Sequence, residues 1–166
     1  MNIRTLEDIE RLESIEEIIL ELQELAQSGA IIVVEGRRDV ESLRSLGISG
    51  EIRLACQHPL LKFAEQLSES GKEIVLLTDW DKKGGIVARK ILNYLTSYGV
   101  APNTEIRSRI GILVRKRIKD IESLNNYVIK LRCEVGNDPI EGDRRAPVHP
   151  LECLKSGNDG AENGNE

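Results

Sequence analysis

Residues 73–84 read Glu73-Ile74-Val75-Leu76-Leu77-Thr78-Asp79-Trp80-Asp81-Lys82-Lys83-Gly84, and their interpretation decides the fold. An uninterrupted apolar run, rich in β-branched residues and closed by charge, is the pattern of a central strand covered on both faces. Asp79 and Asp81 follow at once. If the backbone stays extended through Trp80, the two carboxylates share a face, because side chains two apart in a strand point the same way. Trp80 then alternates away from them and reads as packing or a loop anchor. Gly84-Gly85 opens the way to a helix over Gly85–Tyr98. Val87, Ala88, Ile91, Leu92 and Leu95 line its core face, and Gly99 stops it.

The same alternation repeats toward the N-terminus. Ala30-Ile31-Ile32-Val33-Val34 is a second buried strand, ending in Glu35-Gly36, and a short helix follows from Arg38 to Leu46. Another strand is predicted at Glu51–Ala55, and Pro59 opens a helix with Leu60, Leu61, Ala64 and Leu67 inward. Leu6, Ile9, Leu12, Ile15, Ile19 and Leu22 recur at three- and four-residue steps, which gives an N-terminal helix over Leu6–Gln27. Beyond Gly99 a fourth strand is expected at Thr104–Ile106, then helices over Arg107–Arg117 and Ile121–Leu131 with a break between them. Strands alternating with amphipathic helices define an α/β domain with a mainly parallel sheet. The expected partition is an N-terminal helix (1–29), an α/β core (30–106), a helical extension (107–134), and an irregular arm with a polar tail (135–166).

A chain of 166 residues buries a core without staples, and with only 3% aromatic residues that core must be aliphatic. The formal charge of -5 argues against a broadly basic nucleic-acid binder but leaves room for a local patch. Cys56, Cys133 and Cys153 form no CxxC pair, so reduced thiols are expected and a structural zinc site is not. No run approaches the ~20 apolar residues of a membrane span, and MNIRTLEDIE is no signal peptide. The expectation is a cytoplasmic protein with no membrane partner.

In a parallel sheet, right-handed crossovers bring the strand C-terminal ends to one edge, where ligands collect. Glu35, Asp79 and Asp81 all sit at such ends. The residues alone leave two accounts open. In one, the three carboxylates hold a hard cation, Mg²⁺ or Mn²⁺, with Glu35 also able to serve as general acid or base. In the other, they are unrelated caps and solvated charges. Gly36 and Gly84 fit either account, and Asp39 reads as a residue of the next helix's first turn. Lys82 and Lys83 beside this edge are candidates for phosphate contact. So is the basic run Arg107, Arg109, Arg115, Lys116, Arg117 and Lys119. Arg144 and Arg145, with His149 nearby, fall in the arm, and no zinc or catalytic pair is formed by His58 and His149.

Two segments, IIVVEGRRD at residues 31–39 and IVLLTDWDKKG at residues 74–84, resemble the signature motifs of the Toprim domain. That module is shared by topoisomerases, bacterial-type primases, recombination proteins and ribosomal-RNA maturation nucleases. In size and in its N-terminal helix the chain is similar to small stand-alone archaeal Toprim proteins. The resemblance implies a compact, Rossmann-like, four-stranded parallel sheet between helices. It implies Glu35 as general acid/base or metal ligand and Asp79 and Asp81 as Mg²⁺ ligands. Asp39, Gly36 and Gly84 would be in support. The third aspartate found in some relatives is replaced by Lys83, and neither a strand-cleavage tyrosine domain nor a zinc module is present.

The function expected from these features is a Mg²⁺-dependent phosphoryl-transfer enzyme acting on DNA or RNA, a nuclease before a polymerase, with Mn²⁺ able to substitute. The alternative is a non-catalytic Toprim module that binds nucleic acid or assembles with a protein partner. Its binding would survive replacement of all three carboxylates.

Overall fold

The computed structural model describes residues 3–137. The arm and tail expected beyond them, with Arg144, Arg145, His149 and Cys153, lie outside the described residues. In chain order the elements are α1 (Ile3–Gln27), β1 (Ile31–Val34), α2 (Arg37–Ser45), β2 (Ile52–Leu54), a single 3₁₀ turn (Ala55–Gln57), α3 (Leu60–Glu69), β3 (Ile74–Leu76), α4 (Lys82–Ser97), α5 (Glu105–Val114) and α6 (Leu124–Asn137).

The strands run parallel in the order β2-β1-β3. Ile32 pairs with Ile52 on one side and with Val75 on the other. Because consecutive side chains alternate faces, β1 and β3 each feed two cores. Ile32, Val34, Val75 and Leu77 pack with residues of α1, α2, α5 and α6, whereas Ile31, Val33, Ile74 and Leu76 pack with Phe63, Ala64 and Leu67 of α3 and Ile91 and Leu95 of α4. The result is three layers, with helices covering both faces of the sheet.

The four-stranded sheet expected from the Toprim resemblance is corrected: the described residues are mostly helical around three short strands. The segment expected as a fourth strand, Thr104–Ile106, instead enters α5. Asn103 makes one parallel bridge to Val75, accepting from Leu76 N at 2.9 Å and donating to Ile74 O at 2.7 Å. Its side-chain Oδ1 then accepts from the amides of Glu105 and Ile106. That local bond turns the chain into a helix before a second ladder pair forms, a competition in which asparagine favours the helix start.

Smaller differences have equally local causes. Helix α4 starts at Lys82 rather than Gly85, because Asp81 is its N-cap. On α3, Leu61 is exposed and Phe63 fills the core in its place. Cys56 is a free, exposed thiol. No helix of the described residues is long and apolar enough to cross a membrane.

Candidate functional site at the strand ends

The C-terminal ends of β1 and β3 open into a cleft of about 630 Å³, lined in part by Glu35, Gly36, Arg37, Arg38, Asp39, Asp79, Asp81 and Lys83. Glu35, Asp79 and Asp81 thus share one cavity. Their carboxylates are engaged with the backbone. Glu35 Oε2 accepts from the amide of Asp79 at 2.9 Å, tying the end of β1 to the end of β3. Asp79 Oδ1 accepts from Ile121 N at 3.0 Å, pinning the turn before α6. Asp81 Oδ1 accepts from Gly84 N at 2.6 Å as the cap of α4. Asp39, only 6% exposed, accepts from Gly36 N at 3.0 Å and so fastens the first turn of α2.

Electrostatics follow from this packing. Burial pushes the Asp79 carboxyl up to about 7. The Ile121 amide opposes that rise, and Asp39 together with a side-chain hydrogen bond to Glu35 reinforces it. Asp39 is also raised, chiefly by burial, against the Gly36 amide. Arg107 lies behind the site: its Nε donates to Thr78 O at 2.9 Å and its Nη2 to Asp79 O at 2.5 Å. Burial lowers its pKa, while Glu35, Asp79 and Asp81 pull it back up.

This geometry corrects the expected metal centre. A Mg²⁺ or Mn²⁺ site needs several charged oxygens aimed at one point. Here each of the four carboxylates gives one oxygen to a backbone amide, of Gly36, Asp79, Gly84 or Ile121, rather than turning it to a common point, and burial pushes the Asp79 carboxyl up to about 7. Among the described residues, no group of three or more His, Cys, Asp or Glu side chains is placed to hold a metal ion. The Mg²⁺-dependent nuclease or phosphotransferase reading, with Glu35 as its acid/base, is corrected with it.

The Asp79–Asp81 turn is itself rigidly held. Trp80 N donates to Lys119 O at 2.8 Å, and the indole Nε1 to Arg107 O at 2.8 Å. Beneath it, a Cβ added to Gly111 would stand 2.7 Å from Trp80 Cδ1. Thr78, fully buried, bonds Gly84 O at 2.8 Å. A Cβ on Gly84 would come within 2.1 Å of the Asp79 carbonyl oxygen, so glycine is required there for close approach.

On the far side of this turn lies a groove of about 610 Å³, lined by Trp80, Asp81, Lys82, Ser108, Gly111, Ile112, Arg115, Lys116, Ile118 and Lys119. Lys82, Arg115, Lys116 and Lys119 are exposed, and among the described residues none of them enters an ion pair. Lys116 adopts a left-handed backbone (φ 67°). The remaining cations expected at phosphate go elsewhere. Lys83 faces the cleft, Arg107 braces the turn, Arg109 pairs with Glu21 of α1 at 2.6 Å, and Arg117 lines a separate pocket against α1 and α6.

Sequence reasoning missed Glu122, whose carboxylate meets Arg38 at 3.3 Å on the rim of the cleft, and the Ile121 amide that holds Asp79. Neither carries a local signal. Ala55, Cys56 and His58 also line the cleft, and they were findable, because they follow the end of a parallel strand on the ligand edge.

The fold and cleft define a three-layer parallel α/β domain with a cleft at the strand C-termini. The Toprim domain family matches residues 30–112, half of the chain. Curated relatives include a UPF0292 protein of Methanosarcina barkeri, 49% identical and covering 76% of this chain and 88% of the relative. Another is a UPF0292 protein of Methanosarcina acetivorans, 46% identical with the same coverage. A third, from Methanocaldococcus jannaschii, is 41% identical over 72% of this chain and 90% of the relative. The chain belongs to the UPF0292 family, with residues 30–112 as its Toprim match; naming it by the Toprim resemblance alone is corrected by these relatives. Among solved structures, a protein from Aquifex aeolicus is similar with a TM-score of 0.55 and 25% identity, covering 64% of this chain and 94% of that one.

Proposed function

We propose that this chain is a non-catalytic nucleic-acid-binding module that holds a phosphate backbone in the groove beside the Asp79–Asp81 turn. The observation that carries this reading is the grouping of Lys82, Arg115, Lys116 and Lys119, without ion-pair partners among the described residues, around one groove of an otherwise acidic chain. Two features of the groove add support. Lys82 occupies the first turn of α4, where the helix dipole disfavours a cation and favours an anion. Lys116 holds a backbone conformation uncommon for a residue with a Cβ, the kind of local cost that collects at ligand-binding positions. The strand-end carboxylates, in this reading, keep the turn rigid and present the groove.

Phosphate contacts of this kind release counterions, so affinity falls as salt rises, with a log–log slope of roughly −0.7 per phosphate for single strands and −0.9 for duplex. The test is fluorescence anisotropy with labelled single- and double-stranded DNA and RNA over a salt series. Binding that weakens with salt, and that is lost in a Lys82→Glu/Lys116→Glu/Lys119→Glu variant, supports the module. Absence of binding to every oligonucleotide at low salt contradicts it.

A further inference from the structure

Two exposed aliphatic side chains, one on each helical layer, are ringed by charges of opposite sign. On α1, Leu20 is 55% exposed. Glu13, Glu16, Glu17 and Glu24 share its side of the helix and are all exposed. Glu16 pairs with Arg132 of α6 at 2.7 Å and Glu21 with Arg109 of α5 at 2.6 Å. By helical periodicity Leu20 and Glu24 lie on the arc between those two ion pairs, so this face turns away from the helices α1 packs on. Glu17 also attracts Arg109, and Glu13 and Glu24 enter no ion pair among the described residues. On α4, Ile86 is 48% exposed. Lys82, Lys83, Arg89 and Lys90 stand three and four residues to either side of it, all exposed. Among the described residues none of these four cations enters an ion pair.

We infer that copies of this chain dock head to tail, the Leu20 face of α1 in one copy against the Ile86 face of α4 in the next. A single exposed leucine or isoleucine is ordinary; the match between the two patches is what carries the assignment. Glu17-Leu20-Glu24 and Lys83-Ile86-Lys90 have the same spacing, an aliphatic residue flanked three positions before and four positions after. Two such helices laid side by side, in either direction, bring one aliphatic contact between two pairs of opposite charge. Like on like is disfavoured, because α1 on α1 sets glutamates against glutamates and α4 on α4 sets cations against cations. A second copy supplies both halves.

The patches lie on opposite layers: α1 packs on the sheet face of Ile32 and Val75, α4 on the face of Ile31 and Ile74. One copy can therefore use both patches at once, and such a heterologous contact builds a ring or an open chain rather than a closed two-fold dimer. The charges involved are exposed and the contact is small, so association is weak and salt-sensitive. This docking goes beyond the nucleic-acid reading and does not depend on it. Lys82 alone belongs to both surfaces.

The test is sedimentation equilibrium of the full chain, taken up to about 1 mM because contacts of this size are weak. At low salt the mean mass is expected to rise with concentration past that of two chains. At about 0.5 M salt it should fall back toward one chain, since exposed charges are then screened. Glu17→Lys/Glu24→Lys and Lys83→Glu/Lys90→Glu should each stay a single chain with Tm unchanged, as all four positions are exposed. The variant carrying all four substitutions has the wild-type net charge and should associate again, the signature of paired charges in a mutant cycle. Wild type that remains one chain at every concentration overturns the inference. So does a mass that stops at two chains, which would mean a two-fold contact. Association that survives either reversal, or a folded fourfold variant that fails to recover it, overturns it as well.

Discussion

The two sides of the Asp79–Asp81 turn carry opposite chemistry within a few residues of one another. On the cleft side, Glu35, Asp39, Asp79 and Asp81 each accept a backbone amide, and the segments they join lie 3 to 44 residues apart in sequence. On the groove side, Lys82, Arg115, Lys116 and Lys119 have no charged partner among the described residues. The acidic side is internally satisfied and the basic side is not. A group already hydrogen-bonded within the protein gains little from an outside ligand, whereas an exposed unpaired cation is free to neutralise one. On the proposed reading, the conspicuous carboxylates do structural work and recognition falls to the lysines.

Breaking the groove side should have the largest effect. Reversing Lys82, Lys116 and Lys119 to Glu should cost at least ~100-fold in oligonucleotide affinity and flatten the salt slope by about 2, while leaving Tm nearly unchanged. Anisotropy and circular dichroism on the same preparation separate the two outcomes.

Breaking the turn that divides the regions comes next. Gly84→Ala puts a methyl into the Asp79 carbonyl, and overpacking against backbone should destabilise the fold by about 2 kcal/mol. Urea titration reads it as a lower midpoint at unchanged m. Asp81→Ala, which removes the cap of α4, should cost about 1 kcal/mol by the same measurement.

The smallest effect sharpens the cleft side through pH. The folded-state pKa of Asp79 is raised from 3.8 to about 7. The stability it contributes is therefore fully present below pH 3.8 and lost as pH rises through 7. Asp79→Asn keeps a carbonyl for the Ile121 amide without the charge, so its Tm should gain on wild type between pH 5 and pH 8. The site is partly open to solvent, which screens the effect, and a gain of about 2 °C is expected. Parallel Tm–pH curves would show that burial does not strain this carboxyl.

Much of the fold was legible in the chain because its signals are local. Apolar runs at 30–34 and 74–77 and the stripe from Leu12 to Leu22 specify buried strands and a buried helical face, and the structure buries them. The fourth strand failed at Asn103, whose side chain caps α5 where strand propensity alone favoured continuation. The site was legible as a grouping and not as a chemistry. Strand order brings Glu35, Asp79 and Asp81 to one cleft, and that follows from β/α alternation. The Asp79 carboxylate faces the Ile121 amide and Trp80 is anchored by the Lys119 carbonyl, both some forty residues downstream of the turn. No spacing rule connects them. The basic run was visible, but its division was not, since Arg109 goes to α1 and Arg117 to the rear pocket while Lys119 stays in the groove.

One measurement tests the account most directly: a side-by-side anisotropy titration of wild type, Glu35→Gln/Asp79→Asn/Asp81→Asn, and Lys82→Glu/Lys116→Glu/Lys119→Glu against one oligonucleotide at fixed low salt. The account predicts that the carboxylate variant binds within about threefold of wild type or tighter, and that the lysine variant loses binding. Loss of binding in the carboxylate variant, with the lysine variant unaffected and both folded, would contradict it.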